Sequence, residues 1–231
     1  MIICHPLKLI FIKTKKVGGT SFEIALSSLC DSTSIITPIS PQDEALRQKI
    51  GCPGAQNYVA PVWTGLPGDA DWRSPGNFYN HIPAPEAQAM IPQEIWSSYR
   101  KITIYRDPYD AAISCYFWES ALRKDMSFHS FLEKYPTILK ENTRIAPLEG
   151  PAKLDSYMRY ESLAEEVAAL EVPGLLELFQ ALGAKGTKRP KQGTSVEDIY
   201  RQFPGAADIV ARECAEEINR FGYTSPLQSA A

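Results

Sequence analysis

Two short stretches of this chain combine residue types that can hold an anion. KKVGGTSFE places Lys16, Val17, Gly18, Gly19, Thr20 and Ser21 in a row. Two glycines let the backbone approach a ligand closely, two hydroxyls can donate hydrogen bonds, and a lysine supplies a mobile positive charge. YRDPYDAAISCY, from Tyr105 to Tyr116, offers Arg106, whose planar guanidinium suits a phosphate. It also offers Ser114, eight residues further on and about two helical turns along the same face. A third element of chemistry is a proton acceptor. Of the three histidines, His5 precedes the first apolar run and His129 lies in a polar-to-aromatic helical run, whereas His81 sits in FYNHIPAPE between a short strand and a short helix. Histidine suits base work near neutral pH. Glu23 and Glu161 are the alternative bases, and Glu23 also suits a plain helix-stabilising role.

Stepping outward, these residues need elements to position them. The apolar run Leu7 to Ile12 reads as a strand buried on both faces and stops at Lys13. Thr14 to Gly19 is then a turn, and Thr20 to Leu29 a helix with Phe22, Ile24, Ala25, Leu26 and Leu29 facing inward. A glycine turn between strand and helix directs successive N–H groups at an anion. A plain strand-to-helix turn remains open as the alternative. Lys101 to Tyr105 is a second buried strand running into Arg106, and Pro108 opens a helix. Further on, Ser127 to Lys134 reads as helix, Leu154 to Tyr160 as strand, and Leu163 to Leu170, Leu175 to Leu182 and Ala206 to Phe221 as helices. Alternating strands and helices predict an α/β fold of three layers with a central, mainly parallel sheet.

The interval from Pro38 to Pro92 carries nine of the 18 prolines and Trp63 and Trp72, with Trp96 just past it. It reads as loop apart from a short helix at Ala84 to Met90. Trp63, Trp72, Phe78 and Tyr79 suit an acceptor-binding surface, or equally a private mini-core. Lys185, Lys188, Arg189 and Lys191, among glycines, suit a loop closing over an anion, or an ordinary solvated loop.

Composition bounds the function. A chain of 231 residues with 44% hydrophobic residues can build one full core, and we read residues 1–231 as a single domain with 38–92 as its acceptor-side loop region. The formal net charge of -3 offers no overall basic field for nucleic acid. Five scattered cysteines without a CxxC pair argue against a disulfide framework or a structural zinc site, and fit a reducing compartment. The short apolar start, MIICHPLKLIFIKTKK, reads as a strand and not as a leader or a membrane span. The expectation is a cytoplasmic protein without a membrane partner, without a metal, and of open oligomeric state. Lys16 precedes the glycines, unlike the lysine of a GxxxxGK[ST] loop, which disfavours ATP chemistry.

Taken in order, KKVGGTS and YRDPYDAAISCY resemble the sulfotransferases that use 3′-phosphoadenosine 5′-phosphosulfate (PAPS). The similarity is to the branch holding heparan sulfate 2-O-sulfotransferase-like and bacterial carbohydrate enzymes. LDSYMRYESL and EEINRFGY are similar to that family's late strand and closing helix, while Ala111 stands where relatives often carry a basic residue. The resemblance implies a P-loop-like fold and transfer of a sulfuryl group from PAPS to a hydroxyl or amine of a saccharide or small-molecule acceptor. Val17 to Ser21 would hold the 5′-phosphosulfate, with Lys16 at the leaving phosphate. Arg106 and Ser114 would take the 3′-phosphate, Lys188 and Arg189 would belong to the closing loop, and His81 would match the family's base. A kinase on a similar fold and a non-catalytic nucleotide- or glycan-binding module are the competing expectations.

Overall fold

The computed structural model describes residues 1–59, 77–183 and 195–227. Among them the chain begins with β1 (Ile2–Cys4), β2 (Leu9–Phe11), α1 (Gly19–Ser27), β3 (Ile35–Ile36) and α2 (Pro41–Lys49). It continues with α3 (Ala84–Met90), α4 (Gln93–Ser98) and β4 (Arg100–Tyr105). Four helices follow: α5 (Pro108–Trp118), α6 (Ser120–Arg123), α7 (Phe128–Lys134) and α8 (Glu141–Ile145). The sheet is rejoined at β5 (Ser156–Arg159), then come α9 (Leu163–Ala168), α10 (Leu175–Leu182), α11 (Val196–Gln202), α12 (Pro204–Glu213) and α13 (Ala215–Phe221). These elements group into two compact units, Met1–Tyr105 with Ile145–Ala184 and Arg106–Arg144 with Lys185–Ala231.

The first unit is an α/β layer structure around a five-stranded sheet of order β3-β1-β2-β4-β5. β2, β4 and β5 pair in parallel, whereas β1 is antiparallel to both β2 and β3. The sheet is therefore mixed, where the sequence pattern predicts mainly parallel pairing. The difference arises in the first dozen residues. Residues 5–8 form a turn in which Lys8 is left-handed (φ 47), so the run Leu7 to Ile12 supplies β2, which folds back on β1 with Ile2 opposite Phe11. Side chains alternate across the sheet as the pleat demands. Leu9, Phe11, Ile102, Ile104 and Met158 share one core with Phe22, Ala25 and Leu26 of α1, Leu163 and Val167 of α9, and Leu175 of α10. Phe11 and Phe22 meet edge to face at 4.8 Å. On the other face Tyr105 donates to the carbonyl of Ala146 at 2.8 Å and packs against Tyr157.

α2 lies inside the interval expected to be loop, apart from its one short helix. Its signals are local. Ser40 accepts from Asp43 N–H, Pro41 opens the helix, Asp43 and Glu44 occupy the first turn, and Arg47 and Lys49 the last. Proline here starts a helix and does not break one.

The second unit is helical, with Tyr109, Ala112, Ile113, Phe128, Phe131, Leu132, Tyr200, Ala206 and Val210 in its core. The expected helix over Ala206 to Phe221 is two, α12 and α13, with the break at Cys214 (φ −112), where the buried thiol sits 3.7 Å from the carbonyl of Leu139.

Candidate functional site

The turn between β2 and α1 is set by its sequence from both sides. β2 delivers Ile12, whose N–H donates to Ile102 at 2.9 Å, and the next two residues, Lys13 and Thr14, are buried. Thr14 ties the turn to β4 through a hydrogen bond from its hydroxyl to the carbonyl of Ile104. Lys16 (φ 62) and Gly18 (φ 69) both take the left-handed conformation, and together they swing the chain into the first turn of α1. At Gly18 a Cβ would lie 3.2 Å from Cε2 of Tyr160, so both the dihedral and the space select glycine. At Gly19 a Cβ would lie 3.2 Å from Cγ of Lys13. Val17 is buried in the sheet–helix core and anchors the turn from inside.

α1 begins without a side-chain cap and without an acidic residue in its first turn. Ser21 N–H donates to the carbonyl of Gly18 at 3.2 Å, closing the first turn, and the helix start carries a partial positive charge. Thr20 is half-buried at this end. Ser21 is otherwise engaged: its hydroxyl donates to the carbonyl of Gly183 at 3.0 Å, tying α1 to the end of α10.

His81, which is 65 residues beyond Lys16 in sequence, comes to the root of this turn. Its Nδ1 lies 3.0 Å from the carbonyl oxygen of Lys13. A carbonyl only accepts, so Nδ1 carries the proton and Nε2 carries the lone pair. Nε2 makes no hydrogen bond among the described residues, and the ring is half-buried. Its backbone is left-handed (φ 64), a conformation costly for a residue with a Cβ. Burial, and next the nearby Lys13 ammonium, push the imidazolium pKa down to about 3, against the opposing pull of the Lys13 carbonyl and Glu23. The ring is therefore neutral at physiological pH.

Lys13 and Glu23 form a buried ion pair behind it, Nζ to Oε2 at 2.6 Å. The other carboxylate oxygen, Oε1, takes a hydrogen bond from the amino group of Met1 at 2.9 Å, and Thr37 supports that group at 2.7 Å. Burial alone would raise the Glu23 pKa, but Lys13 and the Met1 amino group outweigh it and hold the carboxyl down at about 2. With both oxygens engaged and so little basicity, Glu23 serves as an electrostatic anchor and not as the base. Glu161 is exposed in the 3-10 turn after β5. His5 pairs with Tyr99 at 2.7 Å, and His129 lies 3.3 Å from Glu133.

In the second unit, Asp107 caps α5 by accepting from Tyr109 N–H at 2.8 Å, with Pro108 at the first helical position. Arg106 donates from Nε and an Nη to Oδ2 of Asp110 at 2.8 and 2.5 Å. Arg106 lies just before the N-cap of α5, while Asp110 and Ser114 lie on the helix four and eight residues further on, and the Asp110 carboxylate between the two expected phosphate contacts holds the guanidinium. The Ser114 hydroxyl is half-buried. The four-residue spacing from Arg106 marks Asp110 in the sequence as its partner.

Of the aromatic residues expected to line an acceptor surface, Phe78 is fully buried and its N–H donates to Tyr58, which gives it a packing role. Tyr79 donates its hydroxyl to Glu86 at 2.7 Å. Trp96 is buried with the ammonium of Lys101 5.8 Å from its ring. Trp63, Trp72, Lys185, Lys188, Arg189 and Lys191 lie outside the described residues. Sequence reasoning missed Lys13, read only as the place where a strand stops. A charged residue at the end of an otherwise apolar strand, with a carboxylate one strand-to-helix turn later, was the available signal.

Among the described residues no group of three or more His, Cys, Asp or Glu side chains gathers as a metal site would, and no helix is long and apolar enough to cross a membrane. No protein-family model matches the chain, and neither curated proteins nor solved structures yield a match.

Proposed function

We propose that this protein is a PAPS-dependent sulfotransferase acting on a hydroxyl or amine of a saccharide or small-molecule acceptor, on a sheet of the P-loop-like class. The observation that supports this reading most is the arrival of His81, with Nε2 as its proton acceptor, at the carbonyl of Lys13, three residues before Lys16. An anion-directed turn and a neutral imidazole in one place are what sulfuryl transfer needs.

In this reading the glycine turn, with the amides of Gly19 and Thr20 at the start of α1, receives the 5′-phosphosulfate. The acceptor oxygen or nitrogen passes its proton to His81 Nε2 and forms its bond to sulfur. The bond from sulfur to the bridging oxygen breaks, and that oxygen keeps the electron pair as part of the leaving adenosine 3′,5′-bisphosphate (PAP). Lys16 offsets the negative charge that grows there. His81 is a weak base in the unliganded protein because burial and Lys13 disfavour its charged form. The negative charge of the 5′-phosphosulfate brought beside it favours the imidazolium, which raises its basicity when the donor is present.

The test has two arms. Thermal shift with PAP and with ATP should show stabilisation by PAP at lower concentration. Incubation with radiolabelled PAPS and a panel of sugar and phenolic acceptors should then yield labelled product. Preference for ATP would favour a kinase, and tight PAP binding without turnover across the panel would favour a binding module; either overturns the proposal.

A further inference from the structure

Lys13 is joined to three separate parts of the first unit. Its carbonyl receives the His81 ring, its ammonium is clasped by Glu23 from the second turn of α1, and its Cγ lies 3.2 Å from where a Cβ on Gly19 would stand. The neighbouring residue Ile12 is fastened to β4. We infer that the buried Lys13–Glu23 ion pair is a positioning device: it fixes the Lys13 carbonyl, and through that carbonyl the tautomer and direction of the His81 ring relative to the glycine turn. This inference rests on the sulfotransferase reading for the role of His81, and it adds two residues outside both sequence motifs' ligand-binding positions.

The physical case is one of rigidity. A buried ion pair gives little net stability over an apolar pair of the same size, because desolvation of both charges offsets their attraction. Here the pair has a geometric effect instead. Glu23 cannot rotate, since Lys13 holds Oε2 and the Met1 amino group holds Oε1. Lys13 cannot withdraw, since its side chain is 96% covered. The carbonyl that receives Nδ1 is thereby held at the end of β2, and His81 is held against it despite its left-handed backbone. An imidazole in water prefers the proton on Nε2, the opposite of the form this carbonyl selects. The charged groups around the ring are Lys13 at the end of β2, the Met1 amino group before β1 and Glu23 on α1.

The experiment compares the wild-type protein with Lys13→Met/Glu23→Gln, a double replacement that removes both charges of the pair and leaves the Met1 amino group, whose pKa burial already lowers to about 6, to shed its proton. Nitrogen chemical shifts of 15N-histidine-labelled protein, with His81→Gln to assign the signal, should show a single Nδ1–H tautomer for His81 in the wild type at pH 7. In the double variant the two tautomers should mix, and the ring should take up a proton at a higher pH because the Lys13 charge is gone. PAP affinity should stay within about 3-fold, whereas turnover of PAPS should fall at least 10-fold. If the double variant does not fold, Glu23→Gln alone carries the same measurements, since it keeps the side-chain shape and weakens the clasp. Wild-type turnover with an unchanged single tautomer in the variant would overturn the inference. Absence of any turnover in the wild type would instead overturn the sulfotransferase reading, while the tautomer measurement would still decide whether the pair positions His81.

Discussion

At the scale of single residues, the chemistry concentrates on Lys16 and His81, and they should fail differently. Lys16 is asked to meet charge that grows only as the bond to sulfur breaks, so Lys16→Ala should cost turnover far more than PAP affinity. Single-turnover rates alongside equilibrium PAP binding check this, and an equal loss in both would make Lys16 a simple binding contact. His81→Gln removes the proton acceptor while keeping an amide that can still reach the Lys13 carbonyl. General-base contributions of about 10²–10⁴-fold set the expected fall in kcat. Retention of wild-type turnover would remove His81 from the mechanism. The hydroxyl of Ser21 already donates to Gly183, so Ser21→Ala should weaken the tie between α1 and α10 more than it weakens donor binding.

The element that matters most is the turn between β2 and α1, and its demands can be separated by two glycines. Gly18 combines a left-handed backbone (φ 69) with Tyr160 only 3.2 Å from a would-be Cβ. Gly150 has a left-handed backbone as well (φ 84) but nothing within 4 Å. Gly150→Ala should therefore cost about 1–2 kcal/mol, the price of the dihedral alone. Gly18→Ala should cost more and should also weaken PAP binding, because relief of the contact moves the first-turn amides of α1. Chemical denaturation of both variants, with PAP titration, measures the difference. On α5, Asp107→Ala removes the N-cap and should lower stability by about 1 kcal/mol.

For the whole molecule, the buried polar cluster of the first unit predicts how stability responds to acid. The unfolded chain binds a proton at His81 below its ordinary pKa of 6.5, whereas the folded protein resists until about pH 3. Glu23 likewise takes up a proton near 4.5 when unfolded and near 2 when folded. In both windows the unfolded state holds more protons, so stability should fall as pH drops from about 6.5 towards 3, and more steeply once below 4.5. Thermal melts from pH 7 to pH 4 test this. His81→Gln should flatten the upper part of the decline, and a variant that melts with the wild-type pH dependence would show that His81 is not the group responsible.

Several parts of this arrangement were legible in the sequence because they depend on neighbours only. Ala84–Met90 and Leu175–Leu182 are helices with the boundaries their patterns predict, and β4 runs into the Asp-Pro cap of α5 as expected. The glycine turn between β2 and α1 was legible too, since Gly18 and Gly19 are required by local dihedrals and close packing. What the local pattern misjudged was direction and partnership. A turn at residues 5–8, with Lys8 left-handed, folds β2 back on β1 as an antiparallel hairpin, and a Ser-Pro start makes a helix inside a proline-rich interval. Only the tertiary structure decided that Lys13 is buried against Glu23, that Phe78 is core, and that His81 turns its Nδ1 to the Lys13 carbonyl. The physical reason is that capping and periodicity act over a few residues. Burial of a charge, and the tautomer of an imidazole, depend on groups that the chain brings together from 10 to 68 residues apart.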